Sequence, residues 1–376
     1  MTTDTDTIEM LRDSVTRYAA DHYGFLKRHA VLADARGFGA QAWADYAQFG
    51  WLALRLPEDA GGIDADASAI GALMEVVGAR LLMEPLLASA VLGTGLVLRA
   101  GSAAQQARLL PALADGTLKL AFASDDDPVC AAGDGADGAN SADSDCTLRG
   151  GRLHGSRHGV LHGDIADRVI VGARDADASG AWALCLVDAD AAGLQRRSYR
   201  MVDGRGAANL RFEGCRVERL DAADAAAALA AARDEAAVAL CAEALGVVRS
   251  LVATTCDYLK VRKQFGKTIG SYQALQHRMV DMFLLQEEIR ALTRAAQRAL
   301  HGPVAERARI VSGAKAYIGG AARHVANEAV QMHGGLGVTD ELDVSHYFRR
   351  VMVINALFGN HDQHVARFVD AALADA

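Results

Sequence analysis

The stretch Arg262-Lys263-Gln264-Phe265-Gly266-Lys267 decides how this 376-residue chain is read, because it separates two long helical patterns with a basic, glycine-containing turn. Before it, an alanine-rich run extends from Ala225 to Val261. After it, Tyr272 to Leu300 sets Leu284, Leu285, Ile289, Leu292 and Ala296 three and four residues apart, the spacing of a buried stripe on a long helix. Gly302-Pro303 ends that pattern where a bundle would turn, and a third helix is expected from Ala305 to His333. The glycine of the quoted turn lets backbone approach a ligand, and Arg262 can grip a phosphate with its planar fork. A solvated basic helix end complementing the macrodipole reads the same residues equally well.

Further toward the amino terminus the texture changes twice. From about Lys119 to Asp224, short apolar runs such as Arg168-Val169-Ile170-Val171 and Trp182-Ala183-Leu184-Cys185-Leu186-Val187 sit between Gly, Asp and Ser clusters, which reads as short strands joined by turns. From Ile8 to about Leu118 the pattern is helical, with Ile70, Leu73, Val76 and Val77 on one stripe and breaks at Pro57 to Gly62 and near Pro85. The expectation is a mainly α chain with a central β-domain: an N-terminal helical domain over 1–118, a middle β-barrel or sandwich over 119–224, and a C-terminal helical bundle over 225–376. Gly133 to Asp145 is so rich in Gly, Asp, Ala and Ser that a mobile loop is expected there.

Composition narrows the function classes. Net charge is -8, which argues against nucleic acid or an anionic membrane as the main partner. Six cysteines lie at irregular intervals without a CxxC pair, as free thiols of a reducing cytoplasm would. The acidic start Met1-Thr2-Thr3-Asp4 is unlike a signal peptide, and no uncharged apolar stretch is long enough for a membrane span, so a cytoplasmic protein without a metal centre is expected.

A second motif, Gln331-Met332-His333-Gly334-Gly335-Leu336-Gly337-Val338, crowds three glycines after a helix. It reads as a C-cap and tight turn, or as backbone N–H groups offered to a pyrophosphate. With the Arg262 motif at this separation, it resembles the acyl-CoA dehydrogenase family. Gly50-Trp51-Leu52, Pro57-Glu58 and Gly61-Gly62 are similar to that family's early turn, and Gly101-Ser102, Gln105, Leu109-Leu110-Pro111 and Gly116 to its signature before the β-domain. The resemblance implies FAD as cofactor, an acyl-CoA thioester as substrate and an electron-acceptor flavoprotein as partner. It also implies that Arg262, Gln264, Phe265, Gln273, Gln331, Gly334 and Gly335 hold the adenosine-diphosphate half of FAD bound in a neighbouring subunit.

The catalytic half of the pattern is missing. The family's base, a glutamate just before a glycine, falls at Phe358, and Val344 through His361 contains no Asp or Glu. An alternative family position on the preceding helix falls at Ala236; its neighbours Asp234 and Glu235 point elsewhere, since one residue turns a helical side chain by about 100°, and an exposed helix face is expected for both. In the β-domain, Gly159 and Leu161 stand where the family places a tryptophan and a Ser or Thr against the flavin ring, and Ser124-Asp125-Asp126-Asp127-Pro128 replaces its glycine-rich flavin loop. His154, His158 and His162 recur every four residues on turn-prone sequence and read as a solvent-facing cluster.

Three functional readings follow. In the first, the chain is one subunit of a hetero-oligomer in which a related chain, as in a heterotetramer, brings the glutamate. Thr339-Asp340-Glu341-Leu342 and His346-Tyr347-Phe348-Arg349-Arg350 are similar to small subunits acting on dicarboxylyl- or steroid-side-chain-CoA. In the second, a homo-oligomeric dehydrogenase or oxidase uses Glu235, Glu341 or His361 as an improvised base. In the third, a non-catalytic relative binds acyl-CoA or supports a partner.

Overall fold

A computed structural model of the chain describes residues 3–34, 36–123 and 146–374. The acidic cluster Ser124 to Pro128 and the loop expected over Gly133 to Asp145 lie outside the described residues. The helices are α1 (Thr5–His22), α2 (Phe25–Ala33), α3 (Ala40–Gln48), α4 (Ala67–Arg80), α5 (Thr94–Ala100), α6 (Ala103–Ala114), α7 (Ala225–Val261), α8 (Gln273–Ala299), α9 (Val304–His333), α10 (Asp343–Ala356) and α11 (His361–Ala374). The strands are β1 (Leu120–Ala123), β2 (Thr147–Arg149), β3 (Arg152–Leu161), β4 (Arg168–Asp175), β5 (Ala181–Asp188), β6 (Leu194–Arg200), β7 (Gly206–Arg216) and β8 (Glu218–Arg219). This is the helical chain with a central sheet that the sequence texture implies.

Two compact units divide the chain, and they interleave in sequence. One comprises Ala30–Asp66 and Met83–Ala236, the other Thr3–His29, Ala67–Leu82 and Ala237–Ala376. In the first unit the strands form one sheet in the order β6-β7-β3-β2-β4-β5-β8. β1 runs parallel to β4 along 168–171 and β2 parallel to it along 174–175, so the two short strands share one edge of β4. Antiparallel pairing sets Val169 opposite Val187 and Val171 opposite Cys185, which stacks their fully buried side chains on one face of the sheet. Helix α6 starts at Ser102 because Ser102 and Gln105 cap each other reciprocally, at 3.3 Å and 3.0 Å. Ahead of it, the apolar run Leu86–Gly93 adopts a π-helix buried on all sides.

In the second unit α4 is buried from Ala69 to Gly78. The single stripe expected of Ile70, Leu73, Val76 and Val77 is thus one side of a helix covered all round. Glycines allow that closeness: a Cβ on Gly78 would lie 2.0 Å from the Glu243 carbonyl oxygen, and one on Gly246 1.9 Å from that of Glu75. Helix α7 is long and apolar enough to cross a membrane, but 83% of its most apolar window is buried in the fold, so the apolarity serves packing. Across to α10, Arg350 clasps Glu243 with two hydrogen bonds of 2.8 Å and 2.7 Å, both side chains buried. Along α8 the expected stripe is displaced. Met282, Ile289, Thr293 and Ala296 are buried, Leu285 and Leu292 are half-buried, and Leu284 is 53% exposed beside Val280 and Phe283. Three-and-four spacing identifies a face, and here the tertiary partner lies a fraction of a turn away from it.

Candidate functional site

The Arg262 motif folds into a hairpin that sequence reading missed. Lys263–Gln264 pairs antiparallel with Lys267–Thr268, leaving Phe265 and Gly266 as a two-residue loop at φ +54° and +81°. Such loops need positive φ at both central positions, and a side chain there is strained by about 1–2 kcal/mol. Phe265 accepts this strain while its ring stays 88% exposed, touched by the edge of Tyr272 at 6.4 Å. Among the described residues only Tyr272 meets it, with its ring edge and with a hydroxyl that donates to the Phe265 carbonyl at 3.5 Å. Beside it, Arg262 is exposed, with no carboxylate near its guanidinium among the described residues, and Lys267 lies over the Tyr272 ring at 4.1 Å. Gln264 is exposed on the hairpin and Gln273 exposed at the start of α8.

The glycine motif lies in the same unit and is tied to the hairpin by one stacked pair. His333, the last residue of α9, packs its ring on Tyr258 at 4.3 Å and 25°, and the Tyr258 backbone carbonyl accepts the N–H of Arg262 at 2.9 Å in the last turn of α7. His333 Nδ1 in turn bonds the Ala329 carbonyl at 2.8 Å, which fixes the ring. Gly334 follows at φ +62°, and no atom lies within 4 Å of where a Cβ on Gly334 or Gly335 would stand. Gln331, with Asn327, Asp340 and Arg349, lines an adjoining concavity of roughly 720 Å³. A free guanidinium, a presented aromatic ring, uncrowded glycine backbone and a hollow of mixed polar and apolar lining are a set suited to a ligand with phosphates at one part and an aromatic base at another.

The position expected for a base is closed instead. Phe358 sits at φ +53° in the turn between α10 and α11, followed by Gly359 at φ +104°. His364 Nε2 donates to the Phe358 carbonyl at 3.0 Å. The buried Lys315 ammonium reaches from α9 to the carbonyls of Ile354 and Gly359, at 2.9 Å and 3.3 Å. Burial lowers Lys315 to about 8, and burial next to that ammonium lowers His364 to about 4, so His364 is neutral at physiological pH. His361 is exposed and bonds the Ala316 carbonyl at 3.2 Å, while Glu341 is exposed in the loop before α10.

The exposed helix face expected for Asp234 and Glu235 is not what the fold contains. Asp234 is 1% exposed, and Glu235 is clasped by Arg55 at 2.7 Å and 3.1 Å and by Arg99 at 2.9 Å. Burial would raise the Glu235 carboxyl, but the Arg55 charge and the arginine hydrogen bonds outweigh it and hold the group below its ordinary range. A carboxylate so held is a poor proton acceptor. The histidine cluster is corrected too: His154 and His158 lie on strand β3, and His162, just past it, is 3% exposed at φ +53°. Its burial, with Arg205 close by, pushes it down to about 3. Gly159 marks a bulge in β3 at φ +66°, its N–H held by the Asn209 side chain at 3.1 Å, and Leu161 is buried. Among the described residues no group of three His, Cys, Asp or Glu could hold a metal.

Residues 5–117 match the model of the acyl-CoA dehydrogenase N-terminal domain and residues 225–373 that of the C-terminal domain. Among relatives, the acyl-CoA dehydrogenase IpdE2 of Mycobacterium tuberculosis is 29% identical over 91% of this chain and 90% of its own. FadE27 of the same organism is 30% identical over 83% and 82%. Among solved structures, the Tcur3481-Tcur3483 steroid ACAD, in a variant form, superposes with TM-score 0.86 at 26% identity, covering 98% of each chain. The ChsE4-ChsE5 complex of Mycobacterium tuberculosis superposes with TM-score 0.84 at 25% identity, covering 100% and 99%.

Proposed function

Because the chain belongs to the acyl-CoA dehydrogenase family, we propose that it acts as one subunit of an FAD-dependent dehydrogenase of acyl-CoA thioesters. In this reading it assembles with a homologous chain that carries the base. The observation that carries the proposal is the contrast between the closed turn at Phe358 and the open hairpin at Phe265. The first leaves no carboxylate to take the α-proton of a thioester; the second presents an exposed aromatic ring and a guanidinium with no carboxylate near it among the described residues. The donor set fits the adenosine-diphosphate end of FAD, with Arg262 toward its phosphates, the Gly334-Gly335 backbone beside them, and Phe265, Gln264, Gln273 and Gln331 around the rest. When bound, FAD supplies the acceptor for the hydride that leaves the β-carbon. This chain's residues bind and orient; the proton moves to the partner's carboxylate. Homology to one half of two-chain assemblies such as ChsE4-ChsE5 supports the hetero-oligomer, and the steroid enzyme among the similar structures supports a bulky acyl group as substrate.

The test is purification of the chain alone and co-expressed with a homologous subunit, with flavin content and acyl-CoA turnover measured for each. The chain alone should retain substoichiometric flavin and show no turnover, and Phe358→Glu should not create any, since a carboxylate there meets no positioned flavin. The complex should turn over, and Arg262→Glu in it should lower flavin retention, a charge-assisted contact contributing about 1.5–3 kcal/mol. Vigorous turnover by the isolated chain would overturn the proposal.

A further inference from the structure

Away from the hairpin, α1, α4, α7 and α8 enclose a cleft of roughly 600 Å³, within the size range of small-molecule sites. Five arginines line it: Arg12, Arg249, Arg290, Arg294 and Arg298 face only two carboxylates, Glu75 and Glu287. Glu75 is shared by Arg12, at 3.2 Å, and Arg249, while Glu287 is taken by Arg290. Arg294 and Arg298 therefore have no carboxylate partner among the described residues, and the cleft holds three positive charges in excess. That excess occurs in a chain whose net charge is -8.

Helix statistics do not account for it. Arg290, Arg294 and Arg298 stand four apart on one face, where like charges repel. Proximity to the α8 C-terminus favours Arg298, in the last turn, but not the other two. The floor is polar and built by close approach. Gly71 leaves room for Gln297, whose amide nitrogen lies 1.8 Å from where a Cβ on that glycine would be, and Gln297 is 9% exposed. A concave site with a fixed polar floor and a rim of planar, permanently charged forks matches compact oxyanions rather than an extended surface. We infer that this four-helix cleft binds a small polyanion carrying at least two phosphate or carboxylate charges, independently of the flavin contacts at Arg262.

The experiment titrates the purified full chain with sodium pyrophosphate, with citrate, and with sodium chloride at matched ionic strength, following calorimetric heat and melting temperature. Saturable binding of pyrophosphate, with a rise in melting temperature beyond that in chloride, is expected. A response to citrate as well assigns the site to polyanions generally, and its absence to phosphoryl groups. Arg294→Gln with Arg298→Gln should weaken pyrophosphate binding at least tenfold while circular dichroism stays unchanged. The titration is repeated in Arg262→Glu, which removes any pyrophosphate held at the hairpin; saturable binding should persist in that background and be lost on adding the double substitution, so failure of the flavin assignment and failure of this one give different results. A response equal to that in chloride, or one that survives the double substitution, would overturn the inference.

Discussion

Glu235→Gln separates two explanations of how this chain could take part in catalysis. The carboxylate is 12% exposed and lies between Arg55, 14% exposed, and Arg99, 33% exposed. A neutral amide in its place leaves two guanidiniums facing each other with the counter-charge gone. Removing one member of a buried ion pair costs about 3–5 kcal/mol. Arg99 can swing a third-exposed side chain toward water, so the lower end, about 3 kcal/mol, applies. On a chain of this size that is a fall in melting temperature of several degrees, read by calorimetry at neutral pH. Arg99→Met added to Glu235→Gln should recover part of the loss, since it removes one uncompensated cation. Turnover of the assembled enzyme, measured well below the transition, should change less than threefold. Were Glu235 the base, the pattern would invert: stability would hold while turnover fell by about 10²–10⁴. That result would refute the ion-triad reasoning and revive a self-sufficient homo-oligomer.

Two further outcomes follow from buried groups. His162 and His364 have folded values of about 3 and about 4, below their ordinary 6.5, so the unfolded chain binds more protons in between. Stability should be highest above about pH 6.5 and fall as pH drops toward 4, visible as a declining melting temperature; a flat profile from pH 7 to 4.5 would contradict their burial. Gly359→Ala places a Cβ at φ +104° and 2.7 Å from His364 Nε2, which should cost about 2 kcal/mol. Gly335→Ala enters open space and should cost under about 0.5 kcal/mol by urea titration. Equal losses at the two glycines would show that the Phe358 turn is not the tight structure described.

How much of this was legible in sequence depends on how far apart the interacting residues stand. The limits of α7 to α9 and the break at Gly302-Pro303 could be read because apolar spacing and a helix breaker act locally. The hairpin could not, because two-residue strands carry no periodicity and Phe is a poor choice for a left-handed loop position. Glu235 was misplaced because the 100° argument ranks faces relative to one another and cannot tell which are covered. Its partners Arg55 and Arg99 stand 180 and 136 residues away. β3 reads as turns because its Gly-Ser-His composition is weakly strand-forming, and its partner β7 fixes it from a distance.

The halves of the site differ in where their interactions close, and this bears on the functional proposal more than any single missing residue. At Phe358 every strong contact ends inside the chain: Lys315 and His364 satisfy the turn's carbonyls, and Gly359 admits no side chain. At the hairpin the backbone of Arg262 and the carbonyl of Phe265 are bonded within the chain, but the Phe265 ring is 88% exposed at positive φ and the Arg262 guanidinium has no carboxylate near it among the described residues. Backbone strain without a local return persists where something outside the element repays it. On the helix that follows the hairpin, Val280, Phe283 and Leu284 are also exposed apolar residues, each more than half open to solvent. The sealed turn at Phe358 and the open hairpin at Phe265 are the two observations on which the proposed two-chain enzyme stands or falls.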